Sequence, residues 1–229
     1  MSRFDIRDIS KPIIVAPMAG GPSTPQLAAA ASDAGGLGML AGGMLNPDGL
    51  AERIGTARGL TSRPLGVNLF VPQPSAGTER QYREYAKALA PEAKRYGVRV
   101  GAPRDDDDGW AAKLAVVSDM RPSVASFTFG LPSEQTCSRL HSRGIVLFAS
   151  VTTVAEAKMA VARGIDTLIV QGPAAGGHRA TRHCCSYSKR YVSMGMSLLS
   201  LPGDWPPQMT SHGCKPPAQS QLSWAPRSC

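Results

Sequence analysis

Long apolar runs are missing from this 229-residue sequence. No segment approaches the roughly 18 consecutive apolar residues that a membrane-spanning helix needs, so we predict no membrane association. The first eight residues are mostly polar, include two acidic side chains and lack the apolar core of a secretory signal. We therefore expect the protein to be cytoplasmic.

Cysteine is almost absent from the first 180 residues, where Cys137 stands alone. A domain with one cysteine has no disulfide framework, which is typical of a reducing compartment. Cys137 falls within a predicted helix, away from the strand ends, and we interpret it as a packing residue. The other four cysteines are concentrated in the last 49 residues: Cys184, Cys185, Cys214 and Cys229.

Acidic residues are too few to balance the basic ones, and the formal net charge is +8. Residues 1–180 hold 20 Lys and Arg against 16 Asp and Glu, whereas residues 181–229 hold five against one. Half of the excess therefore lies in about a fifth of the chain. No basic stripe is interleaved with aromatic residues, so we predict no binding to nucleic acid.

Short apolar segments alternate with helical patterns through the first 180 residues. The predicted strands are Lys11–Met18, Leu37–Ala41, Leu65–Phe70, Val124–Thr128, Ile145–Ala149 and Thr167–Val170. The predicted helices are Pro25–Ala34, with Ser23 or Thr24 as N-cap, and then Pro47–Arg58, Glu79–Tyr96, Trp110–Ser118, Ser133–Ser142 and Val154–Arg163. We interpret Val98-Arg99-Val100 as part of an insertion between the third and fourth strands.

This pattern predicts an α/β fold of the (β/α)8 TIM-barrel type. The strands are apolar throughout, as parallel strands covered on both faces must be. They are joined by helices, and the later strands recur about every 21 residues with short connections. Six strands can be counted where a closed barrel has eight. We therefore expect residues 1–180 to form a partial barrel of about six βα units.

Residues 181–229 follow a different pattern and are predicted to be a separate, irregular tail. They contain six prolines and nine serines, and the apolar run Met196–Leu201 is interrupted by two of the serines. Such a composition is typical of a disordered segment or of one read out of frame. A natural extension of different composition is the alternative. We expect no strand–helix unit here.

The segments that follow the strands contain small and amide residues. Pro17–Gly21 follows the first strand, Asn68 lies near the end of the third, and Gln171–Arg179 follows the sixth. In parallel barrels the active site is formed at these strand ends. Small residues there let the backbone approach a large flat ligand closely. No acidic cluster accompanies them, so we predict no metal site.

Four of these strand-end segments together resemble the nitronate monooxygenase family, formerly called 2-nitropropane dioxygenases. They are Pro17–Gly21, Gly66–Phe70, Ser126–Gly130 and Gln171–Arg179, and the resemblance covers residues 13–179. It implies a barrel that binds FMN non-covalently and oxidises alkyl nitronates, in some members nitroalkanes, with dioxygen. The implied partners are a small nitro compound and dioxygen. The resemblance leaves the oligomeric state open.

His178 is the candidate catalytic residue. It follows the flexible pair Gly176-Gly177, which the resemblance places at the cofactor. An imidazole titrates near neutrality, so it can accept a proton from a carbon acid or donate a hydrogen bond to a nitronate oxygen. The matching histidine is the proposed base in the family. The alternative is a histidine that only holds its loop through a hydrogen bond.

Five further residues are candidates for holding FMN. The resemblance places Asn68 and Gln171 at the polar edge of the isoalloxazine ring, where an amide can both donate and accept. It places Met18, Ala19 and Gly20 against the ring itself. Amides bonded to the backbone, and core packing of Met18, are the structural alternatives.

Two other clusters are interpreted as unrelated to catalysis. Asp105–Asp108 has no histidine or glutamate at ligand spacing, so we predict a solvated turn. His183-Cys184-Cys185 and His212-Gly213-Cys214 lack a Cys-x-x-Cys pair and a surrounding fold, so we predict no zinc site.

Strands seven and eight, whose loops hold the ligand phosphate in phosphate-binding barrels, are missing from the pattern. There are two alternatives to a nitronate monooxygenase. One is an FMN-dependent enoyl-acyl-carrier-protein reductase or NADH:quinone reductase on the same barrel, because these relatives share a Gly-Gly-His loop. The other is a truncated, non-catalytic product.

Overall fold

The structure, a computed structural model, describes residues 4–74, 77–103, 105–171, 175, 197 and 198. Its sheet contains seven strands, all parallel and ordered as they occur in the chain. The strands are β1 (Ile14–Val15), β2 (Leu37–Ala41), β3 (Leu65–Phe70), β4 (Val124–Thr128), β5 (Val146–Val151), β6 (Thr167–Val170) and β7 (Ser197–Leu198).

Helices connect the strands from β1 to β6. They are α1 (Pro25–Asp33), α2 (Pro47–Leu60), α3 (Glu79–Arg95), α4 (Trp110–Met120), α5 (Glu134–His141) and α6 (Val154–Ala162). Side chains cap the starts of most of them. The Thr153 hydroxyl, for example, accepts from the Glu156 backbone amide at 3.1 Å, and the Glu156 carboxylate accepts from the Thr153 amide in return.

Residues alternate between two apolar clusters along each central strand. On β5, Val146 and Phe148 belong to the inner cluster, and Leu147 and Ala149 belong to the outer cluster, which also contains the buried helix residues. Side chains of β1, β2, β4, β5 and β6 meet in the inner cluster, so the sheet curls round on itself. The fold is therefore an incomplete (β/α)8 TIM barrel, as predicted.

The N-terminal segment packs against the inner cluster. Phe4 and Ile6 contact it, and Ile6–Asp8 forms a 3-10 helix. Asp5 caps this helix by accepting from the Arg7 amide at 2.9 Å, and its carboxylate also pairs with the Arg7 guanidinium. These hydrogen bonds from Arg7 lower the pKa of Asp5 to about 2.

Two strand predictions need correction. The first strand was predicted over Lys11–Met18, but its ladder holds two residues, because Pro12 and Pro17 on either side have no N–H to donate.

No strand was expected beyond residue 180, yet β7 pairs with β6 through Thr167–Ser197 and Leu168–Leu198. A strand of two residues is too short to leave an apolar pattern in the sequence, because it requires only a free edge of the sheet beside it. The remaining predicted tail lies outside the described residues, and the boundary at 180 stays a prediction.

The insertion between β3 and β4 contributes a helix outside the core. No residue of α3 is buried, although Glu79–Arg95 is a continuous helix with a capping box at Thr78. Residues 98–100 form no strand, as predicted. The fourth strand follows α4, which packs against α2 and β3.

The aspartate run is only partly the solvated turn that was predicted. Asp105, Asp106 and Asp107 are exposed, but Asp108 accepts from the Met44 backbone amide at 2.9 Å. The Lys113 ammonium lies 2.7 Å from the same carboxylate oxygen, and the Lys113 side chain is 2% exposed. The pair joins the loop after β2 to the start of α4.

Removing the Asp108 carboxylate should therefore destabilise the protein. In Asp108→Ala the Lys113 ammonium stays buried without its counter-ion, and the Met44 amide loses its acceptor. We expect the free energy of unfolding to fall by about 2–3 kcal/mol, below the 3–5 typical of a fully buried pair because Asp108 is partly exposed. Urea denaturation measures this, with the exposed Asp105→Ala as matched control. Equal midpoints for the two variants would contradict it.

Three further expectations concern the described part of the chain. No helix there is both long and apolar enough to cross a membrane. No group of three or more His, Cys, Asp or Glu side chains within it is arranged to hold a metal. Cys137 packs in the outer cluster with 1% exposure, and burial raises the pKa of its thiol, which confirms the predicted packing position.

Candidate active site

The loop after β1 carries three of the predicted site residues at the carboxyl edge of the sheet. The Met18 amide donates to the hydroxyl of buried Ser23 at 2.7 Å, and this hydroxyl donates to the Ala16 carbonyl oxygen. Met18 and Ala19 are half-buried, and Gly20 is exposed. Gly20 has a φ of +83°, a left-handed conformation that favours glycine, and the space around it is open.

The loop after β2 approaches β3 so closely that only glycine fits. A Cβ on Gly42 would lie 2.9 Å from the Asn68 carbonyl oxygen, and one on Gly43 would lie 2.3 Å from the Phe70 ring. The Gly42 amide donates to the Asn68 carbonyl oxygen at 2.8 Å. The loop after β2 therefore lies directly against the backbone of Asn68 and the ring of Phe70 at the end of β3.

Asn68 lies on the inner face of β3, since its neighbours Val67 and Leu69 belong to the outer cluster. It is 3% exposed. Its Nδ2 donates to Ser126 Oγ at 2.9 Å and to Thr128 Oγ1 at 2.9 Å, and lies 3.3 Å from the Ser126 carbonyl oxygen. Asn68, Ser126 and Thr128 therefore form a polar cluster on the inner face of β3 and β4.

Aromatic side chains lie beside this polar cluster. Phe70 follows Asn68 by two residues on the same face of β3, and its ring centroid lies 4.8 Å from that of Phe129. Phe129, at 46% exposure, and Met44, at 75%, both have positive φ values of 70° and 64°. Strained backbone that presents exposed apolar side chains is a feature of ligand-contacting loops.

Gln171 directly follows β6 and is half-buried, and its backbone N–H donates to the Val151 carbonyl oxygen at 3.1 Å. Gln171 and Asn68 thus share the carboxyl edge of the sheet, on strands three positions apart. Gly176, Gly177 and His178 lie outside the described residues, so their predicted roles stay predictions.

The family resemblance includes Ser126–Gly130, but the sequence pattern assigns this segment no role. The structure shows that Ser126 and Thr128 hold the Asn68 amide and that Phe129 packs on Phe70. The available signal was the alternation of hydroxyl and phenylalanine residues along β4, which sends both hydroxyls to the inner face.

Comparison with known proteins identifies the family of the chain. The family model described as nitronate monooxygenase matches residues 4–198, and so reaches past residue 180 to β7. The nitronate monooxygenase of Paraburkholderia phytofirmans is 42% identical over 195 residues, which are 83% of this chain and 53% of that protein. A probable nitronate monooxygenase of Bacillus subtilis is 37% identical over 78% of this chain and 50% of its own length.

Solved structures share the fold. The nitroalkane oxidase from Streptomyces ansochromogenes superposes with a TM-score of 0.72 at 45% identity, over 76% of this chain and 49% of that one. FabK from Thermotoga maritima superposes with a TM-score of 0.60 at 26% identity, over 83% and 49%. The chain spans about half the length of the curated relatives it matches. By sequence and by fold, the chain belongs to the nitronate monooxygenase family.

Proposed function

We propose that this protein takes part in the FMN-dependent oxidation of alkyl nitronates or nitroalkanes by dioxygen. The observation that carries the proposal is the buried Asn68 amide, held at the end of β3 beside a loop in which only glycine fits. Three of the segments that resemble the family, Pro17–Gly21, Gly66–Phe70 and Ser126–Gly130, lie at the same edge of the sheet. The identity of 42% to a nitronate monooxygenase supports the same activity.

The described residues fit a flat heteroaromatic ring such as the isoalloxazine of FMN. Gly42 and Gly43 let the loop after β2 lie directly against Asn68 and Phe70 of β3, and Gly20 leaves the loop after β1 open. Asn68 and Gln171 supply amides for the polar edge of such a ring. Met18 and Ala19 supply apolar surface at the half-buried end of β1. These residues support a ring that is held at its polar edge by amides and packed on apolar surface.

FMN, when bound, would accept the electrons that leave the substrate carbon. His178 would take the proton from the α-carbon of a nitroalkane, whereas a nitronate has already lost that proton. Phe70 and Phe129 would keep water from the reacting atoms. The arrangement requires a small nitro compound and dioxygen as the reactants.

A reductase on the same barrel is the second candidate function, because FabK from Thermotoga maritima shares the fold at 26% identity. The identity to the nitroalkane oxidase from Streptomyces ansochromogenes is higher, at 45%. We therefore favour the oxidase chemistry. NADH consumption in the absence of any nitro compound would favour the reductase.

Oxygen uptake tests the proposal. The assay uses residues 1–198 joined to the C-terminal half of the Paraburkholderia phytofirmans relative, loaded with FMN, and supplies ethyl nitronate or NADH separately. We expect oxygen consumption with the nitronate and none with NADH alone. The Asn68→Leu variant of the same fusion should lose FMN during gel filtration. Oxidation of NADH alone, with no response to the nitronate, would replace the proposed function by the reductase.

A further inference from the structure

The contacts of Asn68 determine which end of its amide faces β4. Nδ2 lies 3.3 Å from the Ser126 carbonyl oxygen and 2.9 Å from each of the two hydroxyl oxygens, Ser126 Oγ and Thr128 Oγ1. The hydroxyls can donate or accept, but a carbonyl oxygen only accepts. If the amide were turned the other way, Asn68 Oδ1 would face the Ser126 carbonyl oxygen, and two acceptors would lie against each other. The amino end of Asn68 must therefore face β4.

The opposite end, Oδ1, then faces away from β4. Within the described part of the chain no group donates a hydrogen bond to it. The residue opposite Asn68 on β2 is Ala41, whose methyl side chain offers no donor. A ligand that brings an N–H to this place would give Oδ1 the donor that the described residues do not supply.

We propose that Ser126 and Thr128 are positioning residues that orient Asn68 so that its Oδ1 accepts the imide N3–H of a flavin. This inference rests on the proposed function, because it takes the ligand to be a flavin. Oxidised isoalloxazine carries a single N–H on its ring edge, at N3, between two carbonyl groups. An asparagine free to turn could not distinguish that N–H from the neighbouring carbonyl oxygens, whereas one held by β4 presents only an acceptor.

The test compares two ligands on the 229-residue chain by equilibrium dialysis: riboflavin and 3-methylriboflavin, in which a methyl group replaces the N3 hydrogen. We expect 3-methylriboflavin to bind about tenfold more weakly, because it leaves Oδ1 without a donor. Thr128→Val and Ser126→Ala should each reduce this ratio by weakening riboflavin, and the double variant should reduce it most, because only the 3.3 Å contact with the Ser126 carbonyl oxygen then holds the amide. Circular dichroism establishes that each variant is folded.

The controls separate orientation from packing. Thr128→Ser keeps the hydroxyl and should restore the wild-type ratio, and Thr56→Val, on the exposed side of α2, should not change it. A ratio of one in the wild-type protein would overturn the inference while leaving the flavin site intact. A ratio unchanged in the double variant would also overturn it, since the methyl group would then be excluded by size alone. If the wild-type chain binds neither ligand, both the inference and the proposed flavin site are wrong.

Discussion

The His178→Asn variant is expected to lose nitroalkane oxidation by about 10²–10⁴-fold in kcat/KM and to retain most of its nitronate oxidation. A nitroalkane must give up a carbon-bound proton before it is oxidised, and a general base contributes a factor of this size to such a step. A nitronate is already deprotonated, so the base has nothing to remove. Asparagine keeps a hydrogen-bonding group of similar size but cannot take up a proton near neutral pH.

The measurement compares steady-state oxygen uptake with nitroethane and with ethyl nitronate, in the fusion of residues 1–198 to the C-terminal half of the Paraburkholderia phytofirmans relative. His183→Asn is the matched control, since it makes the same change five residues along the chain and should leave both rates unaltered. Equal losses on both substrates would show that His178 binds or positions rather than deprotonates. Unchanged rates on both would remove it from the mechanism.

The barrel could be predicted from the sequence because its central strands are covered on both faces. Two strands have the same first and last residues in the structure as in the sequence pattern: Leu65–Phe70 and Val124–Thr128. Parallel strands between two apolar layers leave a continuous apolar signal, and their helices begin at clear caps such as Thr153. The edge strands lacked this signal: β1 lies between two prolines, and β7 is two residues long.

The residues that complete the site could not be predicted, because their contacts are distant in sequence. Asn68 was recognised as an amide at a strand end, but its orientation depends on Ser126, 58 residues later. Outside the site, Asp108 was placed in a solvated turn, since nothing in the local pattern indicates that the backbone of Met44, 64 residues earlier, would meet it. The local sequence pattern indicates the residue type and the face of the strand on which it lies. Its hydrogen-bond partner is known only from the fold.

The 229-residue chain on its own is expected to bind FMN no more tightly than riboflavin. The two ligands share the isoalloxazine ring, so they use the contacts assigned to Met18, Ala19, Asn68 and Gln171 equally. They differ in the phosphate, which barrels of this type hold with the loops after strands seven and eight. In the described residues the seventh strand has two residues and an eighth is absent.

The size of the expected difference follows from the hydrogen bonds that a phosphate accepts. Each bond to a charged group contributes about 1.5–3 kcal/mol, and a phosphate site commonly supplies three or more. At 1.4 kcal/mol per tenfold, three such bonds change the dissociation constant by about three to six orders of magnitude. The fusion that restores the remaining strands should therefore prefer FMN over riboflavin strongly, while the 229-residue chain should show a ratio near one.

Equilibrium dialysis of both flavins against both proteins measures the two ratios under the same conditions. Each ratio compares two ligands on the same protein. A lower stability of the 229-residue chain therefore reduces the affinity for both flavins alike and leaves the ratio of their dissociation constants unchanged. A preference for FMN of a hundredfold or more in that chain would contradict the expectation and place a phosphate site within it. A ratio near one in the fusion as well would show that the phosphate contributes little to affinity in this protein, and that the ring contacts at the carboxyl edge of the sheet hold the cofactor.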